Sequence, residues 1–348
     1  MRIARALGLR YPIVQAPMAG TSTPALAAAV CEAGALGSVA VGAMDAGAAR
    51  AMLADLRGRT DRPFNVNAFV HRRAVREPVA ERAWIAEMQP LFSQFGAEPP
   101  SDLREIYRSL NDDPEMLAAL IDAAPAVVSF HFGLPSPGAI AALKARGCLL
   151  VASATSLDEA RAVQAAEIDA IVAQGIEAGG HRGVFDPDVP DEQLGTLDLV
   201  KVIAAQIDLP VIAAGGIMDG ADIRRALAAG ADAVQMGTAF VACPESAADD
   251  GYRAVLASTT GTTLTDAISG RPARCLDNRF VEWAGQVRAK APGYPMTYDA
   301  GKALIAAAKS AGEDGWGAHW AGTAFARARS MPARDLVALL AREAGFDA

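Results

Sequence analysis

Residues 170–183 read AIVAQGIEAGGHRG. Ala170 to Ala173 is an apolar run of the kind that forms a buried strand, and it passes directly into a glutamine, several glycines and a histidine. A strand that only packs against its neighbours ends in a plain turn. One that ends in hydrogen-bonding groups and bare backbone is built to face a ligand. The fold follows from how many other strands end the same way.

Seven more β-branched or apolar runs alternate with Ala/Leu/Arg helical patterns: Ile13–Pro17, Leu36–Val41, Phe64–Val70, Val127–Phe132, Cys148–Ser153, Pro210–Gly216 and Ala233–Thr238. Strands that alternate with helices signal parallel pairing through crossovers. An open doubly wound sheet also fits that alternation, but gives no reason for nearly every strand to end in polar or glycine residues. In an α/β (β/α)8 barrel of the TIM type all eight ends converge on one face, where active sites sit. The intervening helices are scaffold: ALAAAVCEAG stops at Gly34, SLDEARAVQAAE starts with Ser156 as N-cap, and DGADIRRALAAG stops at Gly230. Two segments exceed ordinary connections. The expected organisation is a barrel of residues 1–240 and 318–348 with a helical insertion at 71–124, and a mostly helical substrate-side lid at 241–317. A closing helix is expected after Met331.

Composition narrows the class. The 348 residues are 52% hydrophobic and carry a net charge of −8, so there is no electrostatic case for nucleic acid and no basic patch for a membrane surface. The four cysteines are scattered without a CxxC pair, which argues against a disulfide framework and for a reducing compartment. The N-terminus has no uninterrupted apolar core before Arg10 and enters the first strand almost at once, so no signal peptide is expected. The expectation is a cytoplasmic monomer or homodimer acting on a small molecule.

The strand ends carry the chemistry. AAGGIMDG (Ala213–Gly220) and QMGTAF (Gln235–Phe240) bring Gly215, Gly216, Gln235, Met236, Gly237 and Thr238 to the ends of the last two strands, where barrels commonly bind phosphate. The plain alternative is that these glycines only make tight turns. Ala16, Pro17 and Met18 form an apolar shelf, and the amides of Asn67 and Gln174 can donate and accept. A planar heterocycle with carbonyl and ring-nitrogen edges and a phosphate tail matches this set, and flavin mononucleotide (FMN) has that shape. His131 (SFHFG) and His181 (EAGGHRG) lie at strand ends, where imidazole can act as a base or proton donor. His71 and His319 are read as surface or packing residues. No His or carboxylate spacing suggests a metal site. PMAGTSTP is not a Rossmann turn, and GxSxG does not occur.

Taken together, YPIVQAPMAG, FNVNAF, AQGIEAGGHRG, PVIAAGGI and VQMGTAF resemble the nitronate monooxygenases, formerly called 2-nitropropane dioxygenases, FMN-dependent barrel enzymes. The resemblance covers Tyr11 to about Arg279 and includes SGRPAR. It implies oxidative denitrification of alkyl nitronates or nitroalkanes to carbonyl compounds and nitrite with O2. It also implies FMN contacts at Ala16, Pro17, Met18, Asn67, Gln174, Gly179 and the adjoining Gly180, and a phosphate end at Gly215, Gly216, Gln235, Met236, Gly237 and Thr238. His181 matches the family's catalytic base, His131 would stand beside the flavin, and Tyr294 and Tyr298 would line the substrate pocket. Two departures stand out: WAGTA (Trp320–Ala324) where the family commonly has WAGQG, and Cys275 where glycine is more usual. An NAD(P)H-dependent quinone or enoyl-thioester reductase on the same barrel is the nearest alternative reading. A phosphosugar lyase or isomerase would need a lysine or carboxylate base that no strand end supplies. A non-catalytic FMN-binding protein is the remaining alternative.

Overall fold

The computed structural model describes residues 1–346; Asp347 and Ala348, the end of the 318–348 segment, lie outside the described residues. The strands in chain order are β1 (Ile13–Gln15), β2 (Gly37–Ala40), β3 (Phe64–Phe69), β4 (Val127–His131), β5 (Leu149–Ala154), β6 (Ala170–Gln174), β7 (Gly180–His181), β8 (Val211–Ala214), β9 (Ala233–Met236), β10 (Thr262–Thr265) and β11 (Ala273–Leu276). Eight of them form one parallel sheet in the order β1-β9-β8-β6-β5-β4-β3-β2. A parallel bridge between Val14 and Leu36 joins its two edges, with Gln15 N–H donating to the Leu36 carbonyl at 2.9 Å. The sheet is thereby closed into the expected barrel.

Side chains alternate across each strand. Leu150, Ala152, Ile171 and Ala173 pack outward under the helices. Val127, Val151, Ala170, Val172, Ile212 and Ala233 fill the interior, where Ile3 of the N-terminal helix Arg2–Ala6 joins them. The helices begin where their caps dictate: Ser156 Oγ accepts from Glu159 N–H, and the Asp219 carboxylate from Asp222 N–H. Gly34 takes φ +90° just past the helix Pro24–Glu32, a conformation that L side chains rarely adopt. The closing helix runs Ala333–Ala344 and buries Leu336, Val337 and Leu340.

The segment after Phe240 is not simply helical. Beside helices Asp250–Ser258, Arg279–Ala284 and Met296–Ser310 it holds β10 and β11, which pair antiparallel, and β11 pairs in turn with β7. A second core ties this region to the long insertion: Trp84, Met88 and Phe92 of helix Pro78–Gln94 pack with Ile268, Phe280, Met296 and Leu304. No helix among the described residues is long and apolar enough to cross a membrane.

Candidate active site

The inward parity that places Val127, Val151 and Val172 in the barrel interior also brings His131, Ser153 and Gln174 inward, each a few residues nearer the strand's C-terminal end. Together with Asn67, Ser129 and Gln235 they line a cavity of about 660 Å³ at that end of the barrel. Every residue singled out from the sequence lies on the same cavity. Ala16, Pro17 and Met18 follow β1, Asn67 lies two residues before the end of β3, His131 closes β4 and Gln174 closes β6. Gly179, Gly180 and His181 come next, then Gly215 and Gly216 after β8, Gln235 and Met236 on β9, and Gly237 and Thr238 just beyond it. Tyr294 and Tyr298 approach from the segment above.

One end of the cavity is backbone. Gly215 and Gly216 take φ of +130° and +66°, which glycine alone adopts without strain. The N–H groups of Gly216 and Gly237 donate to no acceptor among the described residues. Thr238 Oγ1 accepts from Gly322 N–H at 3.0 Å, so its own proton is left for another partner. Unpaired N–H groups beside a hydroxyl make an anion cradle. At the floor, Asn67 donates to the carbonyl and hydroxyl oxygens of Ser129 at 3.2 and 3.0 Å. That commits its amide nitrogen to the neighbouring strand and leaves its carbonyl oxygen as an acceptor.

The other end is the turn carrying His181. Gly180, at φ +74°, lets the chain reverse, and His181 enters the ladder opposite Ala273 of β11. Gln174 is spent largely on holding this turn: its Oε1 accepts from Gly183 N–H at 2.7 Å and its Nε2 donates to the His181 carbonyl at 3.0 Å. The Arg182 guanidinium is buried; it donates to the carbonyls of Gln174 and Gly175 at 2.9 Å each and pairs with Asp191 at 2.7 and 3.0 Å. In the HRG motif, Arg182 and the Gly183 N–H thus moor the turn, while the His181 ring faces the cavity.

Around the His181 ring stand Trp320 at 5.0 Å, Phe132 at 5.6 Å, Tyr294 at 5.7 Å and Tyr298 at 5.9 Å between centroids. Phe132 turns into this cluster through a left-handed backbone, φ +78°. Both imidazoles are half-buried in the cavity wall, and desolvation dominates their titration. It lowers His181 to about 3, helped by His131 and Arg271, and His131 to about 4. Both are neutral at physiological pH.

Several lining groups were not among the site residues expected from the sequence. Trp320, Lys302 and Ser153 face the cavity; Lys302 Nζ donates to Tyr107 Oη at 2.6 Å and Ser153 Oγ lies 2.9 Å from His131 Nδ1. His319 is not a surface residue. It is buried, stacks on Tyr252 at 5.0 Å and lines the cavity, because the chain returns over the mouth at 317–322. His71 is buried too and packs edge-on to Tyr294 at 5.0 Å. Of the two departures in sequence, Thr323 is exposed with its N–H donating to the Glu177 carbonyl at 3.0 Å, and Cys275 is fully buried in the second core.

A closed eight-stranded barrel with a neutral imidazole and an anion cradle on its C-terminal rim defines an enzyme of the barrel class that holds a small organic molecule at that face. Comparison with known proteins gives the family. The nitronate monooxygenase family model matches residues 2–343. A nitronate monooxygenase of Paraburkholderia phytofirmans is 58% identical over 97% of this chain and 93% of its own length, and one of Pseudomonas aeruginosa is 52% identical over 98% of each. The crystal structure of a nitroalkane oxidase from Streptomyces ansochromogenes superposes with a TM-score of 0.92, at 41% identity over 99% of this chain and 98% of that one. The chain belongs to the nitronate monooxygenase family, flavin-dependent oxidoreductases acting on small-molecule substrates. The reductase reading has less support, since the relatives above 50% identity carry the monooxygenase name.

Proposed function

We propose that the chain uses FMN to convert alkyl nitronates, and nitroalkanes once deprotonated, to carbonyl compounds and nitrite with O2. The observation that carries this reading is a neutral His181 sharing one cavity with the unpaired N–H groups of Gly216 and Gly237. The residues present fit FMN. The glycine cradle and Thr238 suit its phosphate, the Ala16–Pro17–Met18 shelf its ring, and the Asn67 carbonyl oxygen a ring N–H. When bound, that cofactor supplies acceptance of electrons from the substrate anion, which no side chain here could provide.

The chain's own part is positional and protonic. His181 takes the proton from the carbon bearing the nitro group, and the C–H electron pair stays on the substrate, delocalised into that group. The imidazolium so formed faces the anion it has created and stabilises it. Desolvation, His131 and Arg271 hold His181 low; an anion formed beside the ring would raise it, so the base strengthens as the transition state forms. Segments 71–124 and 241–317 wall off the substrate, with Phe132, Tyr294, Tyr298 and Trp320 excluding water. Four free, buried cysteines support a reducing, cytoplasmic setting.

The test compares His181→Asn with the parent on neutral nitroethane and on pre-formed ethylnitronate. The expected loss in kcat/KM is at least about a hundredfold greater on nitroethane, the scale of general base catalysis. Equal loss on both substrates, or a parent enzyme that ignores neutral nitroethane, overturns the base assignment.

A further inference from the structure

We infer that Ser269 fixes the tautomer of His181 and thereby makes Nδ1, not Nε2, the nitrogen that receives the substrate's proton. The inference rests on the reading of His181 as the base. Ser269 is completely buried in the SGRPAR loop ahead of β11. Its Oγ lies 2.9 Å from His181 Nε2 and 3.1 Å from the Arg271 carbonyl oxygen.

The hydroxyl has one proton to give, and the carbonyl can only accept. If the proton pointed at Nε2, the serine oxygen and the carbonyl oxygen would face each other at 3.1 Å with no hydrogen between them, a buried and unpaired contact. If it points at the carbonyl, the serine oxygen is left to accept from an Nε2–H, and every group is satisfied. The neutral ring therefore carries its hydrogen on Nε2 and its lone pair on Nδ1. Nδ1 has no hydrogen-bond partner among the described residues and is not sealed off, so it opens to the cavity that His181 lines.

The same chain of bonds serves the product state. After the C–H bond breaks and Nδ1–H forms, the positive ring still donates through Nε2–H to Ser269. The hydroxyl still donates to the Arg271 carbonyl, whose dipole thus ends on the charge. A histidine base oriented by a third group is the general logic of activated proton transfer. Here the third group is a hydroxyl–carbonyl pair in place of a carboxylate. The titratable and charged groups around the ring are His131 from β4, Arg271 from the same loop as Ser269, the neighbouring Arg182, and Tyr294 and Tyr298 from above. No carboxylate among them competes with Ser269 for Nε2–H.

The direct test is the nitrogen-15 spectrum of the holoenzyme labelled at histidine, with the His181 signals assigned by their loss in His181→Asn. At neutral pH the expected pattern is protonated Nε2 with pyridine-like Nδ1; the opposite tautomer, or a doubly protonated ring, overturns the inference. The functional test is Ser269→Ala against Ser269→Thr. In Ser269→Ala the ratio of kcat/KM on nitroethane to that on ethylnitronate falls about tenfold, and the acid limb of the nitroethane profile moves to lower pH, because the imidazolium has lost an acceptor. Ser269→Thr, which keeps the hydroxyl, restores both. An unchanged ratio, or an unshifted acid limb, overturns the role of Ser269. Equal losses of both substrates in His181→Asn would instead overturn the base assignment, while the tautomer read by resonance would stand or fall independently.

Discussion

Nε2 of His131 lies 3.2 Å from the backbone carbonyl oxygen of His181. A carbonyl cannot donate, so His131 carries its proton on Nε2, and its Nδ1 accepts from Ser153 Oγ at 2.9 Å. Both nitrogens are engaged, and what they hold is the turn that carries His181, the proposed base. His131 is therefore assigned as a positioning residue. In His131→Leu, kcat/KM is expected to fall about tenfold on nitroethane and on ethylnitronate alike, since a displaced reactive group slows every step that depends on its position. Steady-state assays on the two substrates check this; a loss confined to nitroethane would make His131 a proton carrier.

His71 and His319 are buried and His131 and His181 are half-buried in the cavity wall, and desolvation lowers each of them: His181 to about 3, His131 and His319 to about 4, and His71 below its ordinary value. In the unfolded chain they titrate near 6.5, so on acidification the unfolded state binds protons first and stability declines as pH falls from about 6.5 towards 4. Each imidazole contributes a slope of up to about 1.4 kcal/mol per pH unit in that window. The urea midpoint of the apoprotein is expected to be clearly lower at pH 5 than at pH 7, with a shallower dependence in His131→Leu. A midpoint that is flat or rises on acidification would contradict neutral burial.

Gly216 has φ +66°, and a Cβ there would stand 3.2 Å from Glu177 Cβ. Gly216→Ala strains the cradle by about 1–2 kcal/mol, enough to weaken flavin binding roughly tenfold. The visible-to-ultraviolet absorbance ratio of the purified variant, and titration of its apoprotein with FMN, measure the change. Undiminished flavin affinity would remove Gly216 from the phosphate end.

Asp191 is the counter-ion of the buried Arg182 guanidinium. Burial pushes its carboxyl upward, but the bonds from Arg182 and from Gln193 N–H bring the net shift below the ordinary aspartate range. Asp191→Ala leaves a buried cation short of its partner, a loss on the order of 3 kcal/mol, and releases the strand end to which Gln174 and Gly175 belong. Thermal denaturation of the variant checks the expected drop in midpoint. A change within error would mean that the two carbonyl acceptors suffice for Arg182.

The barrel was legible in the sequence because its strands are short apolar runs whose ends break into glycine and amide, and because each helix is bounded by its own cap. The residues expected at the barrel strand ends meet in one cavity for the same reason, since parallel strands of one barrel have only one C-terminal face; His181, Tyr294 and Tyr298 reach it from outside the barrel sheet. The three-stranded sheet was not legible. Thr262–Thr265 is largely exposed or half-exposed, β7 has two residues, and its partner Ala273 lies far along the chain, so no local pattern announces the pairing. Ser269 is one serine in a loop, and its meaning depends on the Arg271 carbonyl folding back towards it. His319, read as a surface or packing residue, does pack, but its place on the cavity was not legible for a related reason: only the return of the chain over the mouth turns a residue near the C-terminus into a wall.

β7 has a consequence for the placement of His181. Its carbonyl accepts from Gln174 and His131 of the barrel, while its strand pairs with β11, whose Cys275 belongs to the upper core shared with Trp84 and Met88. The proposed base therefore sits on the seam between barrel and roof, held from both sides. A repacking of the upper core and a change at the ends of β4 or β6 would be felt at the same imidazole, though neither touches the ring directly.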